Sequence, residues 1–594
     1  MPILPRFSRI SSAYALSLTL SLSGLACSGD DPAPADGQVG SAGSGAPTGG
    51  SAGDGPAGSS GTAGTSTAGA GGATGGAAGA GQGGAAGGAG AAGQPGGAAG
   101  DGGTAGGAGA AGGAGGAGEA GGAGGQTQED CSPSNPQGAC PEGRVCTKGA
   151  CIVDILNPEP LAADVDPAQV FDEIWSIYER NYGAFPAKSV DWGKVRDAYL
   201  PQAASVTTRG ELYWLVARAV AELGDGHTYT IHPAMLTAPL FASNASSIGA
   251  CAVPVEGGEL VVYSVTASAP AGLVQGDVVE GFDGRSVETA LVDLANQPRP
   301  YISASTPAAA AGRLALSLLN RAPTDKTMRV RHLDGTVETL GIKPSAGNGG
   351  LIGCSGVLGP SFPVKVRGNG VLTADIPIEG AATTAMYIRF PFFGSYNAQG
   401  QFVVQPIIET LREVFSEIVE QKRSGILLDL RSNGGGSPQV YLSIASYLYD
   451  ATTPLFQCAN RDPLAAGIAF QPGYVLPAEP DPSLQFSGPV AVLVNSQSFS
   501  AADFTPYFLQ KTGRARIFGE PSGGGFGSGS QYTFQGDPSW GIGVNDIYCQ
   551  SLEGEPLEGK PLPVDEPVQL TRSDIASKTD TVIERARLWL ASQP

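Results

Sequence analysis

Histidine is nearly absent. There are three in 594 residues, His227, His232 and His332, so chemistry that needs an imidazole near neutral pH must use one of them. Basic residues are outnumbered, 34 against 54, which leaves a net charge of −20. No Lys/Arg cluster of the kind that tracks a phosphate backbone is present, and this sets nucleic acid aside as a partner. Beyond the first residues no apolar run is long enough to cross a bilayer. No paired CxxC spacing occurs, which argues against a zinc site. Nothing in the pattern asks for a metal or an organic cofactor.

What is abundant is glycine, 91 residues of it. Residues 27–130 are almost entirely Gly, Ala, Ser and Thr. Such a stretch lacks side chains to bury a core, and it predicts a long disordered tether. Ahead of it, residues 1–26 carry Arg6 and Arg9 and then the short apolar stretch AYALSLTLSLSGLA, the layout of an export signal. The ending GLAC resembles a bacterial lipoprotein signal with Cys27 as the lipidated residue; plain secretion is the alternative. The expected location is therefore the bacterial cell envelope, outer surface or periplasm, or the medium, with the membrane met through a lipid anchor only. Cysteine usage agrees. Without Cys27, eight of the nine remain, an even number for an oxidising compartment. Cys131, Cys140, Cys146 and Cys151 bunch in residues 131–152, a module too small for a hydrophobic core. Cys251, Cys354, Cys458 and Cys549 are spread through the rest. Two disulfides are expected in each group, with the pairings open.

Residues 160–237 read as a helical region. Asp166 and Pro167 form an N-cap and first turn, Gln169 suits a capping box, and a second helix, GELYWLVARAVAEL, ends at Gly224. Residues 238–345 turn strand-rich, the size of a small independent β-rich domain. From 355 to 594 strands and helices alternate, which predicts an α/β core. Its strongest feature is PVAVLVN, a buried parallel strand from Pro489, followed by an amphipathic helix from about Ser500. Ser500 thus stands where a strand ends and a helix begins. That turn can expose a hydroxyl and aim free N–H groups at whatever it attacks. A serine hydroxyl needs a neighbouring base. His227, in the polar turn GDGHT after a helix end, is the best placed of the three histidines. Gly434, Gly435 and Gly436, directly after the buried strand GILLDL, would let a backbone approach a substrate closely.

DLRSNGGG, VNSQSFSAADF and GEPSGGG, in that order and each after a buried strand, resemble the tail-specific (C-terminal processing) serine protease family. LGDGHT fits the same family, and AGLVQGDVVEGFDG resembles the later strands of a PDZ domain. The resemblance covers roughly Asp166 to the C-terminus. It implies crotonase-like βα units carrying a PDZ-like insert, with Asp429, Arg431 and Asn433 as a structural motif. One family branch pairs the serine with a lysine; here Gly525 stands in that lysine's place, and Lys511 reads as a solvated helix-end charge. The other branch, like the tricorn core, uses serine, histidine and glutamate. On that pattern Ser500 is the nucleophile, His227 the base and Glu558, in PLEGKPLPVDEPV, the carboxylate; Glu553 and Glu555 lie close by in sequence. The serine that precedes the histidine in that branch is Gly226 here. The oxyanion would be received by the N–H groups of Ala501 and Gly435. The implied activity is an exported serine peptidase acting on a peptide or protein, recognised through its C-terminus. The alternative is an inactive peptide- or ligand-binding lipoprotein on the same fold.

Overall fold

The computed structural model describes residues 144–147, 150–153, 156–232, 248–296, 303–319, 326–342, 354–397 and 401–593. The export signal, Cys27, the Gly/Ala-rich tether, Cys131 and Cys140 lie outside them. In the cysteine-rich module the backbone forms a two-stranded hairpin, Arg144–Thr147 with Ala150–Val153, which sets Cys146 opposite Cys151 in register.

The core is a seven-stranded sheet. Four strands with alternating burial faces run parallel in the order Ala385–Arg389, Ile426–Asp429, Val490–Val494 and Arg516–Gly519. Glu566–Pro567 extends the parallel set at one edge, and Leu372–Ile376 and Lys365–Val366 add antiparallel strands at the other. Period-two alternation sends Met386, Ile388, Leu428, Val492 and Ile517 to one side, where the helices Gln405–Glu420, Pro438–Leu448 and Ala501–Lys511 cover them. Tyr387, Leu427, Leu493 and Phe518 face the opposite side, against the closing helix Thr581–Ala591. Both faces are covered, which is why these strands read as nearly continuous apolar runs.

The front of the chain packs as a helical cluster: Pro167–Asn181, Trp192–Ala203 and Arg209–Ala221. Asp166 caps the first as expected, but Gln169 makes no capping box. Its amide donates to Glu173 one turn on, and its own N–H is taken by Asp166. The cluster also buries Trp540, Ile542 and Val544 from the C-terminal half. The short strand Tyr229–Ile231 pairs with Gly541–Asn545 in the same place. This closure across some 300 residues carries the 225–228 turn to the C-terminal half.

Between the helical cluster and the core lies an antiparallel sheet whose strands run from Ala250–Pro254 to Val337–Gly341, with the helices Val287–Asn296 and Pro307–Leu318. It has its own apolar core around Val262, Phe282, Met328 and Val330. The open pairings resolve as Cys251–Cys354, which ties this sheet's first strand to the segment entering the core, and Cys458–Cys549. The second pair sits directly opposite across the antiparallel strands Thr453–Asn460 and Ile547–Gln550. Among the described residues no helix is long and apolar enough to cross a membrane.

Candidate active site

The buried strand Val490–Val494 stops at a loop pinned by its own side chains. Asn495 Oδ1 accepts from the Ser432 N–H at 2.8 Å, and the Ser498 hydroxyl donates to the Leu430 carbonyl at 2.8 Å. The chain then turns sharply at Ser500, whose φ of 59° and ψ of −124° place it in a region that favours glycine. A non-glycine residue held there marks a strained strand-to-helix elbow, which projects the side chain away from both elements. Asp503 holds the elbow in place. Its buried carboxylate accepts from the N–H groups of Ser500 (3.0 Å), Gly524 (3.0 Å) and Gly525 (2.9 Å). Burial pushes the Asp503 carboxyl up to about 6, although these donors and Ser522 pull the other way. The Ala501 N–H carries no hydrogen bond among the described residues.

Gly435 lies against this elbow, at a φ of 95°; a Cβ on it would come 2.5 Å from Ser500 Cβ and 3.0 Å from the Ala501 nitrogen. Its N–H, however, donates to Asn433 Oδ1 at 2.8 Å. The expectation that this group waits for an oxyanion is corrected: it is consumed by the turn that brings Gly435 close. Asn433 is fixed in turn by donating to the Phe390 carbonyl at 2.9 Å. Beneath it, Arg431 clasps Asp429 at 2.9 and 2.7 Å and reaches Asp580 at 3.0 Å. The Asp429, Arg431 and Asn433 side chains all lie buried in these contacts, turned into the protein rather than toward an open cleft.

His227 enters from the turn after the helix Arg209–Ala221. Asp225 shapes that turn by accepting from the His227 N–H at 2.8 Å, while its other oxygen accepts from Tyr182 (3.0 Å) and Asn545 (2.8 Å). The imidazole stacks on Phe499, the residue before Ser500, with ring centroids 4.4 Å apart. Among the described residues neither ring nitrogen has a hydrogen-bond partner. Nδ1 stands 3.8 Å from Asp225 Oδ1. Burial lowers the ring to about 4, against the pull of Asp225, so it is neutral at pH 7. The Arg313 guanidinium lies over Phe499, 5.2 Å from its centroid.

Glu558 is buried beside the imidazole. One oxygen accepts from Lys188 Nζ at 2.9 Å and the other from the Phe526 N–H at 2.8 Å. Burial and then Asp225 push its carboxyl up to about 7, while Lys188 and the Ser305 hydroxyl hold it down. Glu553 and Glu555 are solvent-exposed. Of the three glutamates, only Glu558 reaches this cluster. The other histidines are engaged elsewhere: His232 stacks on Tyr213 and meets Asp537 at 2.9 Å, and His332 bridges Asp277 and Glu338.

One donor atom each from Asp225, His227 and Glu558 lie within 4.8 Å of one another, a spacing a metal ion could use. The Lys188 ammonium already supplies the positive charge there, and a divalent ion would be set against it. Two departures from the branch pattern have steric causes. A Cβ at Gly226 would meet the Phe499 ring at 2.7 Å, and one at Gly525 would overlap it. Neither a serine at 226 nor a lysine at 525 fits while Phe499 is in place. A hydroxyl is nonetheless present: Ser305 Oγ accepts from the Gly226 N–H at 3.0 Å. Lys188, Asp225, Ser305, Phe499 and Asp503 were not singled out in sequence. Of these, only Asp503, three residues after the elbow, offered a local signal, the helix-cap spacing.

The structure thus brings together an α/β sheet, a serine on a strained strand-to-helix elbow, an imidazole stacked on the residue before that serine, and a buried carboxylate near the imidazole, an arrangement suited to a serine peptidase. Residues 385–568 match the model for Peptidase family S41, and residues 164–221 that for the Tricorn protease C1 domain. Carboxyl-terminal-processing peptidase 2, chloroplastic, of Arabidopsis thaliana is 25% identical over 367 residues, 60% of this chain and 60% of that protein. C-terminal processing peptidase, chloroplastic, of Tetradesmus obliquus is 25% identical over 395 residues, 65% of this chain and 73% of that protein. The chain therefore spans about 60% of the length of the first of these. Among solved structures, mature CPAF aligns with a TM-score of 0.57 at 15% identity over 72% of this chain and 97% of that one, a likeness of fold. Residues 385–568 are thus a Peptidase family S41 domain, and the matches together support a tail-specific (C-terminal processing) serine protease.

Proposed function

We propose that the protein is an exported serine peptidase that cleaves peptide bonds through an acyl-enzyme on Ser500. The observation that carries this is the elbow: a non-glycine residue strained at φ 59°, its following N–H unspent, with a neutral imidazole stacked on the residue before it. His227 takes the Ser500 proton as Oγ bonds to the peptide carbon. The Ala501 N–H receives the oxyanion. His227 then protonates the departing amine as the C–N bond breaks, and water, deprotonated by the same ring, releases the acid and restores the hydroxyl. Glu558 orients the ring and stabilises its charged form. The ring and the hydroxyl share no hydrogen bond at rest, and that bond tightens when substrate enters. Lys188 is not the base: the Glu558 and Asp225 charges outweigh its burial and raise its ammonium above the usual lysine value.

The antiparallel sheet spanning residues 250–341 is read as a PDZ-like insert that takes an extended peptide C-terminus by strand addition. Two disulfides in the globular part support an oxidising, exported setting. Anchoring through Cys27 remains part of this proposal. A fluorophosphonate probe should label Ser500, and Ser500→Ala and His227→Ala should each abolish peptide turnover in a folded protein. Failure of Ser500 to label, or undiminished turnover in either variant, would overturn the assignment in favour of a binding protein on the same fold.

A further inference from the structure

Lys188 has no counterpart in the chemistry so far assigned, yet it is placed at its centre. It follows the short helical turn Phe185–Ala187, and its side chain is only 10% exposed. The ammonium touches two groups: Glu558 Oε1 at 2.9 Å and the Gly224 carbonyl at 2.6 Å. Gly224 lies three residues before His227. One cation therefore ties the carboxylate to the turn that presents the imidazole, across 370 residues of chain. A buried lysine is costly unless it compensates a charge. Two carboxylates, Asp225 and Glu558, share this pocket, and like charges so close cannot both ionise without a counter-ion.

We propose that Lys188 is a positioning residue for the peptidase site: its ammonium favours the ionised form of Glu558 and fixes that carboxyl beside His227, so that the ring's positive form meets an anion. This rests on the peptidase reading above. The groups facing Glu558 come from five parts of the chain. They are Lys188; the Tyr182 hydroxyl; Asp225 and His227; Ser305; and the Phe526 N–H. Arg313 lies further out, against the His227 and Phe499 stack. Of the groups facing Glu558, only Lys188 is a permanent cation. Removing it leaves burial and Asp225 to favour the protonated acid. Raising the pH should then restore the carboxylate, which separates this role from a structural one.

The test is the pH dependence of kcat and KM for the full chain carrying Lys188→Met and Lys188→Arg. In Lys188→Met the acid limb of kcat should move up by about one pH unit, so that kcat falls about fivefold at pH 7, where wild-type Glu558 is about half ionised, and about tenfold well below it. KM should hold, activity should recover at alkaline pH, and Lys188→Arg should keep the wild-type limb. In a Glu558→Gln background Lys188→Met should cost nothing more in kcat, a comparison that stands even if the single methionine variant folds poorly. A limb that stays in place while kcat drops at every pH, or a full additional loss in the double variant, would overturn the proposal. If the wild-type chain turns over no peptide, or Ser500→Ala turns it over as well, the peptidase reading falls and this one with it. An unmoved limb in a Ser500-dependent enzyme sinks the Lys188 role alone.

Discussion

Replacing Ser500 by glycine should stabilise the protein while destroying its activity. The reason is the elbow. At φ 59° and ψ −124° an L side chain is held where only glycine sits without strain. Such a residue costs about 1–3 kcal/mol. Glycine removes that strain but gives the unfolded chain more freedom, worth about 0.4–1 kcal/mol in the opposite direction. The balance favours glycine by about 1 kcal/mol. Alanine is the proper reference, because Ser500→Ala also removes the hydroxyl but keeps the Cβ and hence the strain. The Asp503 carboxylate holds the residue-500 N–H in both variants. The assay is urea unfolding of the two inactive variants side by side, followed by tryptophan fluorescence, since an equilibrium difference of 1 kcal/mol is about fivefold and readily resolved. A glycine variant no more stable than the alanine variant would show that the elbow stores no strain, and the geometric argument for Ser500 as nucleophile would lose its basis.

The pH dependence should separate the two acids of the site. His227 sits at about 4 and Glu558 at about 7, so the ring is neutral throughout the neutral range while Glu558 is still losing its proton. Activity should therefore rise with pH through about 7; a pH–kcat profile whose only acid limb lies near 4 would contradict this. Gly525→Ala should strike Phe499, displace the ring that stacks on His227, and lower fluorophosphonate labelling of Ser500 about a hundredfold, as misplacements of an ångström do. Labelling at the wild-type rate would mean that the Phe499 stack has no bearing on the site. Removing the Cys458–Cys549 bridge, which closes a loop of 91 residues, should lower stability by about 2–5 kcal/mol, seen as a drop in the urea midpoint that reductant no longer changes at this site.

The alternation of elements was legible because both faces of the central sheet are covered. GILLDL and PVAVLVN are nearly continuous apolar runs that a solvent-facing strand could not be, and Ser500 follows the second of them at the start of the next helix. Glu558 was reached through motif order and not through local pattern, since nothing in PLEGKPLPVDEPV says which of three glutamates turns inward. The buried packing of Leu557 and Leu562 on either side of it decides that. Lys188 was illegible. It lies in FPAKSVDW, a segment with no periodicity, and acquires meaning only when a partner 370 residues away closes on it. The Gly435 N–H failed for the opposite reason. The glycine run was visible, but the side chain that uses its donor, Asn433, was read as part of the motif and not as a competitor for it.

Phe499 links these observations. Its ring needs the space left by glycine at 226 and 525, stacks on His227 and lies under the Arg313 guanidinium. Arg313 belongs to the helix Pro307–Leu318, which also receives Gln497 Nε2 at the Ala309 carbonyl, while Thr306 at its N-terminus donates to the Gly523 carbonyl. The loops around the elbow are thus braced by the helix Pro307–Leu318 as well as by their own sheet. An aromatic ring in place of the lysine's path makes the choice of base steric before it is electrostatic. With no room for an amine at 525, the proposed acceptor of the Ser500 proton is the ring stacked on Phe499. That ring is kept uncharged by burial, and on the proposed mechanism a transferred proton would place its charge beside Glu558, whose ionised form Lys188 favours.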